Sequence, residues 1–336
     1  MRLVPLFATM AMLFCATLAF ADWHRYNMKN GLGSNFACCI YEDSSGNIWV
    51  GGIESVSCYD GGSWRAYTEA DGIRCEYVRA ICEDDSGSIW VGGTSGCSLL
   101  RLDGEVWRPV IVPVPAGYQT SVYAMVKDSS GDLWISGIFG GDSGVCRYDG
   151  VNWHMYTEVN GFSVWANTIC QDRFGRMWFA GEAKVTRYDG KGWRTFTESD
   201  GPTGGYLYDV CEDASGNLWL GTENGLIRYD GLSWHRFIES DGLANNYPIC
   251  MLEDRGGNLW LSYEPAAGVT RYDGTTWRTF TKSEGLASNH IGTMLEDSEG
   301  DLWFGGHGGV YEDGGVSRFD GENWKGFNSS SGLGSD

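Results

Sequence analysis

Short apolar runs with a period of two, separated by clusters of Gly, Asp, Ser and Asn, make up most of this chain. Residues 36–42 (Phe-Ala-Cys-Cys-Ile-Tyr-Glu) predict an inner strand A, 47–50 a strand B, 57–59 a strand C and 64–67 a strand D. In each, alternation puts every second side chain on one face of a sheet. The same order of segments then returns along the chain. One tryptophan series runs Trp49, Trp90, Trp134, Trp178, Trp219, Trp260 and Trp303, at steps of 41 to 44 residues. A second runs Trp64, Trp107, Trp153, Trp193, Trp234, Trp277 and Trp324, and only Trp165 stands outside these series and the related Trp23. A period in the low forties with four short strands per unit predicts an all-β fold, a seven-bladed β-propeller of four-stranded antiparallel blades. The repeats fall near 36–69, 77–111, 120–157, 164–198, 206–239, 247–281 and 290–328. Segments this short and this rich in Gly, Asp, Thr and aromatic residues exclude a helical repeat. Closure of the ring is left open, because either residues 23–26 or residues 324–327 can supply the last strand of the seventh blade.

Comparing the repeats with one another assigns the turns. Asp43, Asp84, Asp128, Asp172, Asp213, Asp254 and Asp297 each stand six residues before the first tryptophan, with a Gly midway. Asp60, Asp103, Asp149, Asp189, Asp230, Asp273 and Asp320 each stand four before the second and are followed by Gly. Asp accepts hydrogen bonds from turn amides and Gly takes the positive φ that closes a turn, so both sets read as A–B and C–D turn residues rather than cation ligands or catalytic acids.

The first 21 residues break the pattern. Arg2 is followed by an apolar run from Leu3 to Phe20 and by Ala19-Phe20-Ala21, the arrangement of a secretory signal peptide and its cleavage site. The expected organisation is a signal peptide at 1–21 and one propeller at 22–336, periplasmic or secreted, with no membrane span after cleavage. The chain has 336 residues and a net charge of −20, which disfavours nucleic acid and anionic membrane as partners. Export permits disulfides, but Cys82, Cys170 and Cys211 occupy one register of three repeats and are expected to be free and buried. Cys38, Cys39, Cys58, Cys75, Cys97 and Cys146 are off that register, where one or two bridges can form.

Candidate chemistry lies where the repeats differ. The distance from the first tryptophan to the Asp of the next turn varies from 11 to 17 residues across the B–C connection, whereas the A–B and C–D turns are uniform. Variation on one face of a fixed scaffold marks the place to look for a ligand. At the start of strand A, seven residues before the A–B Asp, stand Phe36, Tyr77, Ser121, Trp165, Tyr206, Tyr247 and His290. Four residues after the first tryptophan stand Ile53, Thr94, Ile138, Glu182, Glu223, Glu264 and His307. Rings beside carboxylates suit sugar recognition, the ring stacking on C–H faces and the acid accepting hydroxyl hydrogen bonds. The competing reading is packing between loops with solvated acids. His24, His154 and His235 recur in one register of different outer strands and do not converge, and no metal or cofactor is expected. An enzyme, such as a polysaccharide lyase or hydrolase, would draw its acids from Glu182, Asp209, Glu223 and Glu264 and its base from His290 or His307. Asp209 is singled out as a lone carboxylate in a register otherwise holding Cys39, Ala80, Ala124, Thr168, Cys250 and Thr293. A protein-docking scaffold for an envelope partner is the third class.

Glu-Asp-Ser-Ser-Gly-Asn-Ile-Trp-Val-Gly at 42–51, Arg-Tyr-Asp-Gly at 228–231 and Asp-Gly-Leu-Ala-Asn-Asn at 241–246 resemble the two-component regulator propeller repeat. The resemblance covers 22–333 in seven copies. It implies the fold above and a place in the periplasmic sensor part of bacterial hybrid histidine kinases, a part associated with carbohydrate breakdown products. No kinase core or DNA-binding region follows in the sequence, so the expectation is a sensor module alone that binds an extracellular glycan or peptide.

Overall fold

A computed structural model describes residues 28, 31–94, 99–114, 120–162, 165–197, 199–201, 205–306 and 315–319. These form seven antiparallel sheets, six of them ordered A-B-C-D and the seventh described over its strands A-B-C. Blade one comprises β1 (Cys39–Glu42), β2 (Ile48–Gly51), β3 (Val56–Tyr59) and β4 (Trp64–Tyr67). Blades two to six repeat the order, with inner strands β5 (Tyr77–Glu83), β9 (Ser121–Lys127), β13 (Thr168–Gln171), β17 (Leu207–Glu212) and β21 (Pro248–Glu253). Three strands of blade seven are described, β25 (Ile291–Glu296), β26 (Leu302–Gly306) and β27 (Gly315–Phe319). The two segments expected to compete for its fourth strand, and the expected signal peptide, lie outside the described residues. The described helices are three-residue 3-10 turns, and none is long or apolar enough to cross a membrane.

The sevenfold Asp–Trp spacing has one physical cause. In every blade one carboxylate oxygen of the A–B Asp accepts the indole N–H of the tryptophan six residues on, at 2.6 to 2.8 Å. The other oxygen accepts backbone amides of the turn, as Asp43 does from Ser45 and Asn47. The midway Gly takes a φ between +76° and +94°, which only Gly adopts without penalty. The tryptophan is thereby both the largest apolar residue between adjacent sheets and a satisfied donor, and all seven are at most 5% exposed. The six described tryptophans of the second series lie on the outer strands, where Trp234 and Trp277 stack on Tyr229 and Tyr272 with centroids 4.2 and 4.0 Å apart. Among the described residues, Asp60, Asp149, Asp189, Asp230 and Asp273 cap their C–D turns as expected, Asp230 accepting from Leu232 and Ser233. In blade two Asp103 pairs instead with Arg108, at 2.9 Å.

Neighbouring blades are joined by a second device. The residue after each A–B Asp meets the last residue of strand A in the next blade. Ser44 bonds Glu83, Ser129 bonds Gln171, Arg173 bonds Glu212, Ala214 bonds Glu253 and Arg255 bonds Glu296, each through a backbone N–H at 2.6 to 2.7 Å. Ser298 makes the same bond to Glu42 at 2.8 Å, joining blade seven to blade one. Between blades two and three the strand ends in Lys127, and its partner is Asp85, at 3.3 Å. Polarity is exchanged there and the contact is kept.

Cys82, Cys170 and Cys211 are free, as expected from their shared register, and Cys75 is disulfide-bonded. The remaining described cysteines are free, and burial raises the thiols of Cys38 and Cys82 to about 11.

Candidate functional site

The inner strands surround a channel of about 980 Å³. The two registers marked in the sequence meet at one end of these strands because they are cross-strand neighbours. Tyr77 pairs with Thr94 and Ser121 with Ile138 in the ladders. The amides of Glu223 and Glu264 continue the pattern, donating to the carbonyls of Tyr206 and Tyr247 at 3.1 and 3.0 Å. In blade four the turn carrying Glu182 lies against Trp165, since a Cβ on Gly181 would stand 1.7 Å from the Trp165 carbonyl oxygen. In blades four to six the residue that follows strand B is therefore a glutamate lying beside the backbone of the aromatic residue that leads into strand A.

The rings themselves group in smaller sets. Trp165 stacks on Tyr123 with centroids 5.9 Å apart. Tyr208 lies between Tyr206 and Tyr247, with both centroids at 5.0 Å, and donates its hydroxyl proton to Tyr247 at 2.6 Å. Asn167 donates from Nδ2 to the Tyr206 hydroxyl at 2.6 Å. Phe36 meets Tyr77 edge-on and lines a separate groove of about 1020 Å³ with Ile53, Arg74 and Glu76. His290 and Glu264 come together, Nε2 to Oε2 at 2.6 Å. His307 lies outside the described residues. Glu182 and Glu264 are exposed and Glu223 is half-buried.

The structure adds a register that the sequence reading did not single out. Two residues beyond the ring register stand Cys38, Arg79, Tyr123, Asn167, Tyr208, Ile249 and Gly292, and all seven line the channel; in blades two, three, five, six and seven this residue is skipped in the A–B ladder, a β-bulge. Blades two to five contribute a polar arc and blades six, seven and one an apolar arc. The bulge breaks the period of two on which alternation in the sequence relies, and the register lacks the run of aromatic residues that marks its neighbour.

Asp209 also lines the channel, but its oxygens are engaged. Oδ1 accepts from Thr168 Oγ1 at 2.9 Å and from the Val210 amide at 2.8 Å, and Oδ2 accepts from the Met251 amide at 2.7 Å. It thus ties the inner strands of blades four, five and six together. Burial raises its pKa to about 6, outweighing three donors that favour the carboxylate. Burial likewise raises the Tyr123 hydroxyl and, more strongly, that of Tyr208, where the bond to Tyr247 adds to the effect. The arrangement offers aromatic faces, hydroxyl and amide donors and carboxylate acceptors around one opening. Among the described residues no group of three His, Cys, Asp or Glu is placed to hold a metal ion. His154 and His235 sit exposed on separate outer strands.

Comparison with known proteins places this geometry. The sequence profile of the two component regulator propeller family matches residues 31–54, 72–95, 201–224 and 285–308. Each match spans the approach to strand A, strand A and strand B. No curated protein sequence matches the chain. Among solved structures, the extracellular domain of BT3049 from B. thetaiotaomicron, described as a hybrid two component system, superposes with a TM-score of 0.72 at 18% identity, covering 89% of this chain. The chain spans 41% of that one's length. Virginiamycin B lyase from Staphylococcus aureus, solved with quinupristin, gives 0.68 at 14% identity, with 88% of this chain and 98% of that one covered. YCF48 bound to a D1 peptide gives 0.64 at 14% identity, covering 89% and 96%. At these identities the likeness concerns the fold.

Proposed function

The chain carries repeats of the two-component regulator propeller family, and from that premise we propose an exported, ligand-binding propeller that recognises an extracellular glycan at its channel mouth. The observation that carries the reading is the placement, in consecutive blades, of a glutamate just after strand B beside the backbone of an aromatic residue just before strand A, Glu182 by Trp165, Glu223 by Tyr206 and Glu264 by Tyr247. A pyranose presents an apolar C–H face and a rim of hydroxyls. Paired rings and acids satisfy both at once. Hydrogen bonds from Asn167 to Tyr206 and from Tyr208 to Tyr247 hold two of these rings in place before any ligand arrives, which reduces the ordering cost of binding. The similarity to an extracellular domain of a two-component system supports the same reading. A glycan-array and thermal-shift screen of the chain, followed by Trp165→Ala and Tyr206→Ala on the strongest ligand, tests it. Loss of binding in both variants is the expected result, and an affinity indifferent to both rings would refute it.

The lyase or hydrolase reading has one observation in its favour, the contact between His290 and Glu264. Asp209 does not strengthen it, because all three of its hydrogen bonds go to the scaffold. Turnover of an array ligand that is lost in His290→Ala and Glu264→Gln would favour the enzyme.

A further inference from the structure

We infer that the glycan taken at the mouth carries a carboxylate, as a hexuronate residue does, and that the guanidinium of Arg79 holds it; this rests on the reading of the mouth as a glycan site. The channel lining contains three charged side chains, Arg79, Lys127 and Asp209. Lys127 is paired with Asp85 in the contact between blades two and three. Asp209 spends both oxygens on Thr168, Val210 and Met251. Of these three, Arg79 is the one with no ion pair or hydrogen bond to a described residue. It is exposed to the channel, lies 5.9 Å from the centroid of Tyr77, and acts electrostatically on the neighbouring Tyr123. A molecule with a net charge of −20 therefore presents a free cation at its axis.

The surroundings narrow the ligand. The planar fork of Arg matches a carboxylate through two parallel hydrogen bonds, and contact with an aromatic face orients the fork. Tyr123 and Asn167, next to Arg79 in the same register, add ring and amide surface suited to the rest of a sugar. Glu182, Glu223 and Glu264 belong to blades four to six, across the ring from blade two, where they accept hydroxyls and repel a second acid. Long polyanions meet the repulsion of the whole molecule, whereas one carboxylate beside Arg79 gains a local contact within a Debye length of roughly 8 Å. The ligand class is thus a short oligosaccharide with a single hexuronate.

The experiment titrates the chain with a panel of oligosaccharides bearing one terminal hexuronate and with their carboxyl-reduced, neutral counterparts. The expected result is tighter binding of the acidic member by at least about tenfold, as charge-assisted hydrogen bonds require. Arg79→Gln should abolish the difference and Arg79→Lys should retain part of it. Equal affinity for the acidic and neutral members overturns the role of Arg79 and leaves the glycan site standing. A preference that survives in Arg79→Gln does the same. Failure of every sugar to bind overturns both. Because the reduced ligand tests the carboxylate on the unaltered protein, the comparison does not depend on the folding of any variant.

Discussion

The A–B aspartate is the residue on which each blade turns, and its two oxygens have separate duties. In blade seven Asp297 accepts the indole of Trp303 at 2.6 Å and the amides of Glu299 and Asp301 at 3.1 and 2.8 Å, while being 4% exposed. Asp297→Ala leaves three donors without an acceptor and is expected to cost about 2–4 kcal/mol, read from urea unfolding. Asp297→Asn should also destabilise, since its amide turns a donor toward one of the same donors. Asp209 provides a pH signature. Its pKa is raised to about 6 in the folded chain against an ordinary value near 3.8. The folded state therefore binds its proton more tightly than the unfolded state does. Its contribution is fully present below about pH 4 and is lost as the pH rises through 6. Relative to Asp209→Asn, the unaltered chain should lose stability between those limits and run parallel above them, in urea midpoints measured across pH. At this scale the turn function of both Asp registers was legible, because seven copies with constant spacing reveal a common cause. The indole bond was not, because a six-residue spacing fixes sequence distance and not the direction of a side chain.

Between elements, the clasp joining successive blades depends on the last residue of strand A. Glu42, Glu83, Gln171, Glu212, Glu253 and Glu296 accept a backbone N–H from the preceding blade, and Lys127 replaces that bond with an ion pair to Asp85. Lys127→Glu sets two carboxylates against each other and should destabilise by about 0.5–1 kcal/mol, the scale of partly exposed charges. Adding Asp85→Ser recreates the arrangement of Ser44 with Glu83 and should recover the loss, a coupling visible in a double-mutant cycle. The exchange of Asp85 and Lys127 can be seen in the sequence once the contact is known. Without the ring, residues 42 apart give no reason to be compared. Strands A to D were legible from their alternation, and the observed strands differ from the expected ones by a few residues at their ends. That is where hydrogen bonding to the next blade, rather than local pattern, decides where a strand begins.

For the molecule as a whole, the tryptophan period sufficed to give blade number and order, since each blade buries its face only against its neighbours. The location of a ligand site is a different kind of property. It depends on which side chains of separate blades converge on the axis, and there the ring register divided: Trp165, Tyr206 and Tyr247 join the cluster with Tyr123 and Tyr208, whereas Phe36 turns to a groove of its own. The central claim is that recognition occurs at the mouth formed by blades three to six. Its most direct test is calorimetric titration of the strongest array ligand into the unaltered chain, Trp165→Ala, Tyr206→Ala and, as a remote control, Leu232→Ala, whose side chain is 94% exposed on a C–D turn. The account predicts affinity at least about tenfold weaker in the first two variants, the scale of losing an aromatic contact, with the control unchanged. Equal affinity in all four proteins would contradict it.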